Sequence, residues 1–499
     1  MNSQDFIGGV PESRVLPVAG AGRDRTIRPG GDFVLYWMTA NRRASWNYSL
    51  DRAADGAAEL GKPLLVLEAL RCDYPWASER LHRFVLDGMA CNAADFDHAG
   101  VAYYPYVERS PGAGAGLLRA LARQACVVVS DDYPCFFLPA VVRAARQQID
   151  VRFELVDSNG IYPMRSTDRL FSRAHDFRRH LQKSIQPHLI ESPRDDCVAA
   201  GGKRAEVPAE VARRWPAASI GSAKQLLADL PLPHRVPWTG QEGGSRAARA
   251  ALSEFVNRRM PSYEERNQPE REVASGLSPY LHFGHVSAHE VFAQAAARDG
   301  WDPGKLAEKA TGSSSGWWGG SAPFESFLDE LITWRELGFN RCALTRDFDK
   351  YESLPAWAQQ TLADHAGDPR AHVYTLAEFE QAGTHDRLWN AAQRQLTTEG
   401  RIHNYLRMLW GKKILEWSAT PRDALGVMLE LNNKYALDGR DPNSYSGIFW
   451  VLGRYDRAWG PERTVYGKIR YMSSDNTARK VRVKDYVARY NVADRRLFE

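Results

Sequence analysis

The stretch FVLYWM (33–38) is followed by LLVL (64–67), VAYY (101–104), VVV (127–129) and VRFELV (151–156). These are short, nearly continuous apolar runs rich in β-branched and aromatic residues, which read as strands covered on both faces. Between them, 79–94, 115–124 and 138–148 carry apolar residues at helical spacing. Strands alternating with helices predict a doubly wound parallel α/β sheet over 31–165, with any ligand at the carboxyl ends of the strands. No G-x-G-x-x-G or Walker loop follows the first strand. Gly112, Gly114 and Gly116 recur every second residue, the wrong spacing for a dinucleotide fingerprint, so PGAGAG (111–116) reads as a plain loop.

Outward from that block the pattern changes twice. Residues 1–30 are rich in Gly and Arg without period and read as a flexible tail; 166–245 shift to Arg, Pro, Gly and Ala and read as an interdomain linker. From 246 to 499 strand signals vanish and amphipathic helices follow one another over 324–339, 386–397, 402–417 and 422–434. The last of these has Thr420 as N-cap and Pro421 at the first helical position. The fold class is therefore an α/β domain followed by an all-helical domain. The segment TGSSSGWWGG (311–320) reads as an inserted surface loop.

Composition bounds the function. The chain has 499 residues, 44% hydrophobic and 25% charged, with a net charge of +4. That is a globular balance, and it excludes whole-chain disorder. No run of apolar residues reaches membrane-spanning length and the N-terminus lacks a secretory pattern, so a cytoplasmic protein without membrane partner is expected. Six cysteines (Cys72, Cys91, Cys126, Cys135, Cys197 and Cys342) contain no C-x-x-C pair, which points away from a zinc or iron–sulfur site and towards reduced thiols, mostly in the core. No metal is expected.

Aromatic residues are placed more tellingly than their number suggests. In HNYLRMLWGKKILEW (403–417), Arg407 and Trp410 share a helix face, and Trp410 and Trp417 stand about 10 Å apart along the axis. Trp389 lies on the preceding helix. Such a stripe is either core packing or a chain of oxidisable rings leading electrons to a buried redox group. Downstream, LNNKYALDGRDPN (431–443) is polar and turn-rich: its Asn and Asp residues are either caps or, with Arg407 and Asp438 facing one heteroaromatic ligand, a means of binding and tuning it. The segment GLSPYLHFG (276–284) sets amides and hydroxyls at a helix start, where phosphate is accepted. From Arg463 to Tyr490 eight basic residues face two acids, with three tyrosines interleaved: a solvated basic face, or a track for a phosphate backbone.

Taken in order, LSPYLHFG (277–284), DELITWRELGFNRC (329–342), HDRLWNAAQ (385–393), HNYLRMLWGKKILEW (403–417), LDGRDPNSYSGIFW (437–450) and YGKIRYMS (466–473) resemble the class II cyclobutane pyrimidine dimer photolyases of the photolyase/cryptochrome superfamily. The resemblance implies FAD, active as the fully reduced anion, in the helical domain. Tyr263, Ser275, Gly276, Leu277 and Ser278 resemble the phosphate and ribityl binders. Arg407 and Asp438 resemble the salt-bridged pair beside the isoalloxazine, and Asn432 the asparagine at flavin N5. Trp410, Trp389 and Trp417 resemble the electron-transfer tryptophans, Trp410 nearest the flavin and Trp417 towards the surface. Glu330 resembles the glutamate that bonds the dimer bases. Trp334, Trp450 and Met408 resemble the lining of the lesion pocket.

The implied activity is light-driven splitting of cyclobutane dimers in DNA by electron transfer, after the lesion is flipped out of the duplex, with photolyases a named case of base flipping. A second antenna chromophore of deazaflavin or folate type is compatible with the resemblance, although the N-terminal domain carries no recognisable motif for one. A monomer is expected. The alternative is a cryptochrome-like photoreceptor that keeps the flavin and the tryptophans without repair; Glu330, Trp334, Trp450 and the basic C-terminal region are what a lesion needs and a light sensor does not.

Overall fold

A computed structural model describes residues 9–18, 26–196, 203–221 and 223–491. The chain forms two compact bodies. One comprises Met1–Asp168, Ser184–Glu254 and Gly276–Pro303; the other Arg169–Lys183, Phe255–Ser275 and Gly304–Glu499.

The first body is built on six strands: β1 (Val15–Pro17), β2 (Phe33–Met38), β3 (Leu64–Leu70), β4 (Ala102–Val107), β5 (Ala125–Asp131) and β6 (Phe153–Val156). Their order is β1-β6-β5-β2-β3-β4, with β2 to β6 parallel and β1 antiparallel to β6. β2 lies between β5 and β3, with Trp37 opposite Ser130 on one side and Leu67 on the other. Every residue of β2 is buried, which is why it reads as an unbroken apolar run. The helices α1 (Tyr48–Leu60), α2 (Glu79–His98), α3 (Leu117–Ala122) and α4 (Leu138–Arg146) alternate with these strands.

Helix α1 is absent from the sequence reading because charges interrupt its apolar face. Arg52 is buried against Glu154 at 2.8 Å, and Asp51 is buried against Arg194 at 3.0 Å. The tail reading also needs correction. Residues 1–8 and 19–25 lie outside the described residues, but Val15–Pro17 pairs with β6, and buried Arg14 donates to the carbonyls of Asp157, Gly160 and Ile161 while resting 4.5 Å from the Tyr48 ring. Those bonds anchor the segment despite its irregular composition.

The domain boundaries move as well. Ser184–Glu254 joins the α/β body instead of acting as a linker, and Gly276–Pro303 joins it instead of the helical body. The reason is packing on α2. Phe84 meets Tyr280, Phe283 and His285 at 5.0–5.3 Å between ring centroids, and a side chain at Gly243 would collide with the Phe84 backbone.

In the helical body the region expected as one helix over 324–339 is two: α5 (Ala322–Leu328) and α6 (Arg335–Leu344), joined through a π turn over Asp329–Trp334. Then follow α7 (Arg387–Glu399), α8 (Asn404–Trp417), α9 (Pro421–Tyr435) and α10 (Pro442–Val451). Thr420 caps α9 as its sequence predicts, accepting from the Asp423 amide at 3.1 Å. The stretch 311–320 is a loop exposed at Thr311, 313–316 and Gly319, but it is anchored: Trp317 and Trp318 are buried edge to face, and Glu325 accepts from the amides of Gly316 and Gly319. Cys72, Cys91, Cys126, Cys135 and Cys342 are buried free thiols; Cys197 lies outside the described residues. Among the described residues no helix is long and apolar enough to cross a membrane.

Candidate functional site

Helix α8 is the spine of the site. Its indole Trp410 is 1% exposed and donates from Nε1 to Gln393 Oε1 on α7 at 2.8 Å. Trp389, also on α7, is fully buried and donates to the Trp410 carbonyl at 3.0 Å. The Trp389 and Trp417 rings meet at 6.0 Å with planes 69° apart. All three indoles are thus connected, with Trp389 joining two residues seven apart on α8. Trp417 is 3% exposed and is covered by half-buried Tyr374 at 5.8 Å and exposed His385 at 4.9 Å. Buried indoles whose N–H groups face carbonyl oxygens can carry transient positive charge, because fixed acceptor dipoles stabilise it without rearrangement.

At the other end of α8, Arg407 reaches Asp438 in the turn between α9 and α10, with Nη2 3.1 Å from Oδ2; both are about one-fifth exposed. The polar run 431–443 divides its labour. Asp441 caps α10 through the Asn443 amide, and Asn433 accepts from the Arg440 amide at 3.0 Å. Arg440 is buried at φ 66° and its guanidinium closes the end of α9 on the carbonyls of Asn433, Ala436 and Leu437. Those residues shape the turn. Asn432 is different: it is 1% exposed, and its Nδ2 donates to Ser444 Oγ at 2.8 Å and to Asn433 Oδ1 at 3.3 Å. A buried amide in the segment that also carries Asp438 suits the edge of a nitrogen heterocycle that forms one hydrogen bond with it and spreads charge over the rest.

Tyr263 sits in the Met260–Asn267 turn of the same body, wedged between the rings of Phe255 and Phe327. Burial pushes its phenol well up, and the charge on Glu330 adds to this. Arg259 donates to the carbonyls of Ala274 and Ser275, fixing that strand of backbone. Gly276, Leu277 and Ser278 belong to the α/β body; Gly276 has φ 67°, Leu277 is buried, and Ser278 is the exposed first residue of the short helix Ser278–His282.

Glu330 and Trp334 both lie in the π turn, each half-buried. Such turns break helix regularity and often mark functional positions. Glu330 accepts from Arg266 Nη2 at 3.1 Å, while Arg266 Nη1 donates to Ser326 Oγ at 2.7 Å and its guanidinium lies 5.2 Å from the Tyr263 ring. Burial raises the Glu330 carboxyl, and Arg266 opposes the rise. Sequence reasoning missed Arg266; its only signal is its place three residues after Tyr263. Met408 is half-buried against the helical core, one residue past Arg407. Trp450, half-buried near the end of α10, has Lys412 Nζ at 6.0 Å and Arg470 at 5.8 Å from its ring. The basic C-terminal stretch is partly neutralised, Arg489 pairing with Glu272 and Glu399 and Lys468 with Glu462; Arg479, Lys480, Arg482 and Lys484 are exposed.

No family model matches the chain. Among curated proteins it is 34% identical to a deoxyribodipyrimidine photo-lyase of Methanothermobacter thermautotrophicus, over 92% of this chain and 94% of that one. It is 35% identical to one of Oryza sativa subsp. japonica, over 93% and 90%, and 30% identical to one of Potorous tridactylus, over 92% and 81%. Among solved structures, a bacterial class III photolyase from Agrobacterium tumefaciens shares its fold with TM-score 0.65 at 18% identity, over 95% of this chain and 88% of that one. A cryptochrome of Synechocystis sp. PCC6803 does so with TM-score 0.65 at 14% identity, over 92% and 88%.

Proposed function

The chain belongs to the deoxyribodipyrimidine photo-lyase family, lyases of light-driven DNA repair, and we propose that it splits cyclobutane pyrimidine dimers in DNA as the class II enzymes do. What carries the reading is one helix: α8 bears Arg407 paired to Asp438, Met408, Trp410 and Trp417, so one rigid element links a heterocycle site to an indole chain.

FAD, bound reduced, would supply the photoexcited electron. The Arg407–Asp438 pair, the buried amide of Asn432, and Tyr263 and Ser275 would hold it. Arg407 offsets negative charge on the ring system, Asp438 keeps Arg407 in place, and Asn432 accepts a ring N–H. Trp410, Trp389 and Trp417 would return an oxidised cofactor to its active state by passing electrons inward. Trp334, Met408 and Trp450 offer apolar surface to the flipped dimer, whose bases stack poorly in the duplex and are cheap to extrude. Glu330, held by Arg266, faces its polar edge; as a carboxylate it accepts base N–H groups, and as the acid it donates to a base carbonyl. When negative charge arrives on the dimer, the guanidinium beside Glu330 favours it.

The test is direct. The reduced protein is illuminated with dimer-containing DNA, and restored pyrimidines are followed by ultraviolet absorbance. Recovery that requires both light and protein supports repair. Photoreduction of the flavin without recovery supports a cryptochrome-like receptor instead.

A further inference from the structure

Lys412 has no place in the chemistry above, yet it is one of the most enclosed charges in the helical body, at 1% exposure. Its neighbour Lys413 pairs with Glu416 at 2.6 Å, whereas the Lys412 ammonium makes its hydrogen bond to a backbone carbonyl, Val451 O, at 2.5 Å. Val451 is the last residue of α10, where carbonyls lack helical partners and the helix dipole is negative. A cation there caps the helix, and the residue just before the cap is Trp450. The same ammonium lies 6.0 Å from the Trp450 ring, which Arg470 approaches to 5.8 Å, itself 5.0 Å from the Trp459 ring.

We propose that Lys412 is a positioning residue for lesion recognition: by holding the last turn of α10 and lying against the Trp450 indole, its ammonium keeps that wall oriented for a dimer to stack on, and selectivity for dimer-containing DNA follows its charge. The proposal rests on the reading of Trp450 as a wall of the lesion pocket. Removing an ammonium from water without a carboxylate in contact is costly, and a group kept in that state titrates more easily than a surface lysine. Burial brings Lys412 down to about 7, with Asp456 raising it and Arg470 lowering it. Close by, Lys413 and Glu416 neutralise each other, and Tyr466 donates to both Glu416 and the Lys412 carbonyl. As pH rises through neutrality, the charged cap and the cation–aromatic contact are lost together, while phosphate contacts by arginines are unchanged.

The experiment measures affinity of the full chain for one oligonucleotide with and without a single cyclobutane dimer, from pH 6 to 8.5, for the wild type and for Lys412→Met, which keeps the volume without the charge. The wild-type selectivity ratio is expected to fall roughly two- to fivefold across that range, the worth of one cation–aromatic contact. Lys412→Met should show the lower ratio at every pH, without slope. A wild-type ratio that is flat in pH overturns the proposal, and this measurement stands even if the variant fails to fold. A variant that weakens both DNAs equally also overturns it, since that is support of the fold alone. A wild type that shows no preference for the dimer at any pH instead removes Trp450 as a lesion wall, and the inference with it.

Discussion

The helical body holds two sets of tryptophans in opposite settings. Trp389, Trp410 and Trp417 are at most 3% exposed, and the first two have their N–H groups bound to an amide or backbone oxygen. Trp334 and Trp450 are half-buried, and Trp450 is flanked by Lys412 and Arg470. One residue type serves two purposes because its surroundings differ. A closed, hydrogen-bonded indole is fixed and shielded from water, which suits moving charge through protein. An open indole near cations offers a face to something not yet bound, near groups that attract phosphate. The number of tryptophans says nothing about this division; their burial does.

The largest effect expected from this contrast is on stability. Trp389→Ala should cost about 3–5 kcal/mol in chemical denaturation, the usual price of emptying a core indole site, whereas Trp450→Ala should cost far less. Equal losses would erase the distinction. Next comes binding: Trp450→Ala should weaken affinity for dimer-containing DNA by about 1–3 kcal/mol while leaving undamaged DNA nearly unchanged, because phosphate contacts carry no lesion information. A third substitution separates the electronic role of the closed set from its packing role. Trp410→Phe strands the Gln393 oxygen and should cost about 1–2 kcal/mol of stability. It should also slow photoreduction of oxidised flavin, yet chemically reduced variant should still repair. Unslowed photoreduction would make Trp410 a core residue only. The smallest stability change is expected at Glu330, which shares the π turn with Trp334. Glu330→Gln disturbs a partly exposed pair with Arg266, so it should alter stability by less than about 1 kcal/mol. Repair per absorbed photon should fall all the same, read as pyrimidine recovery at matched flavin content. Full repair yield with loss of folding would reduce Glu330 to a strut for the π turn.

The sequence made much of this legible, and unevenly. FVLYWM could be read because β2 is buried on both faces, and Thr420-Pro421 because a cap acts through bonds only three residues long. Arg407, Trp410 and Trp417 could be placed on one helix by spacing alone. Arg266 could not be found, since its partner Glu330 is 64 residues away and no local pattern joins them. The π turn was equally hidden: DELITW has ordinary helical periodicity, and the change of hydrogen-bond register belongs to the packed helix pair around it.

By itself, then, the amino-acid order determined what depends on near neighbours: strand and helix type, caps, which side chains share a face, and the ordered motifs that carry the family resemblance. Tertiary structure alone decided what depends on distant neighbours. It assigned Gly276–Pro303 to the α/β body through the rings packed on Phe84, and it buried Trp317 and Trp318 in a stretch whose glycines and serines read as surface. It also tied Asn432 to Ser444 and Asn433 to Arg440, and it enclosed Lys412 against the end of α10. Burial and pairing are sums over groups that meet only when the chain is folded, so no window along the sequence contains them.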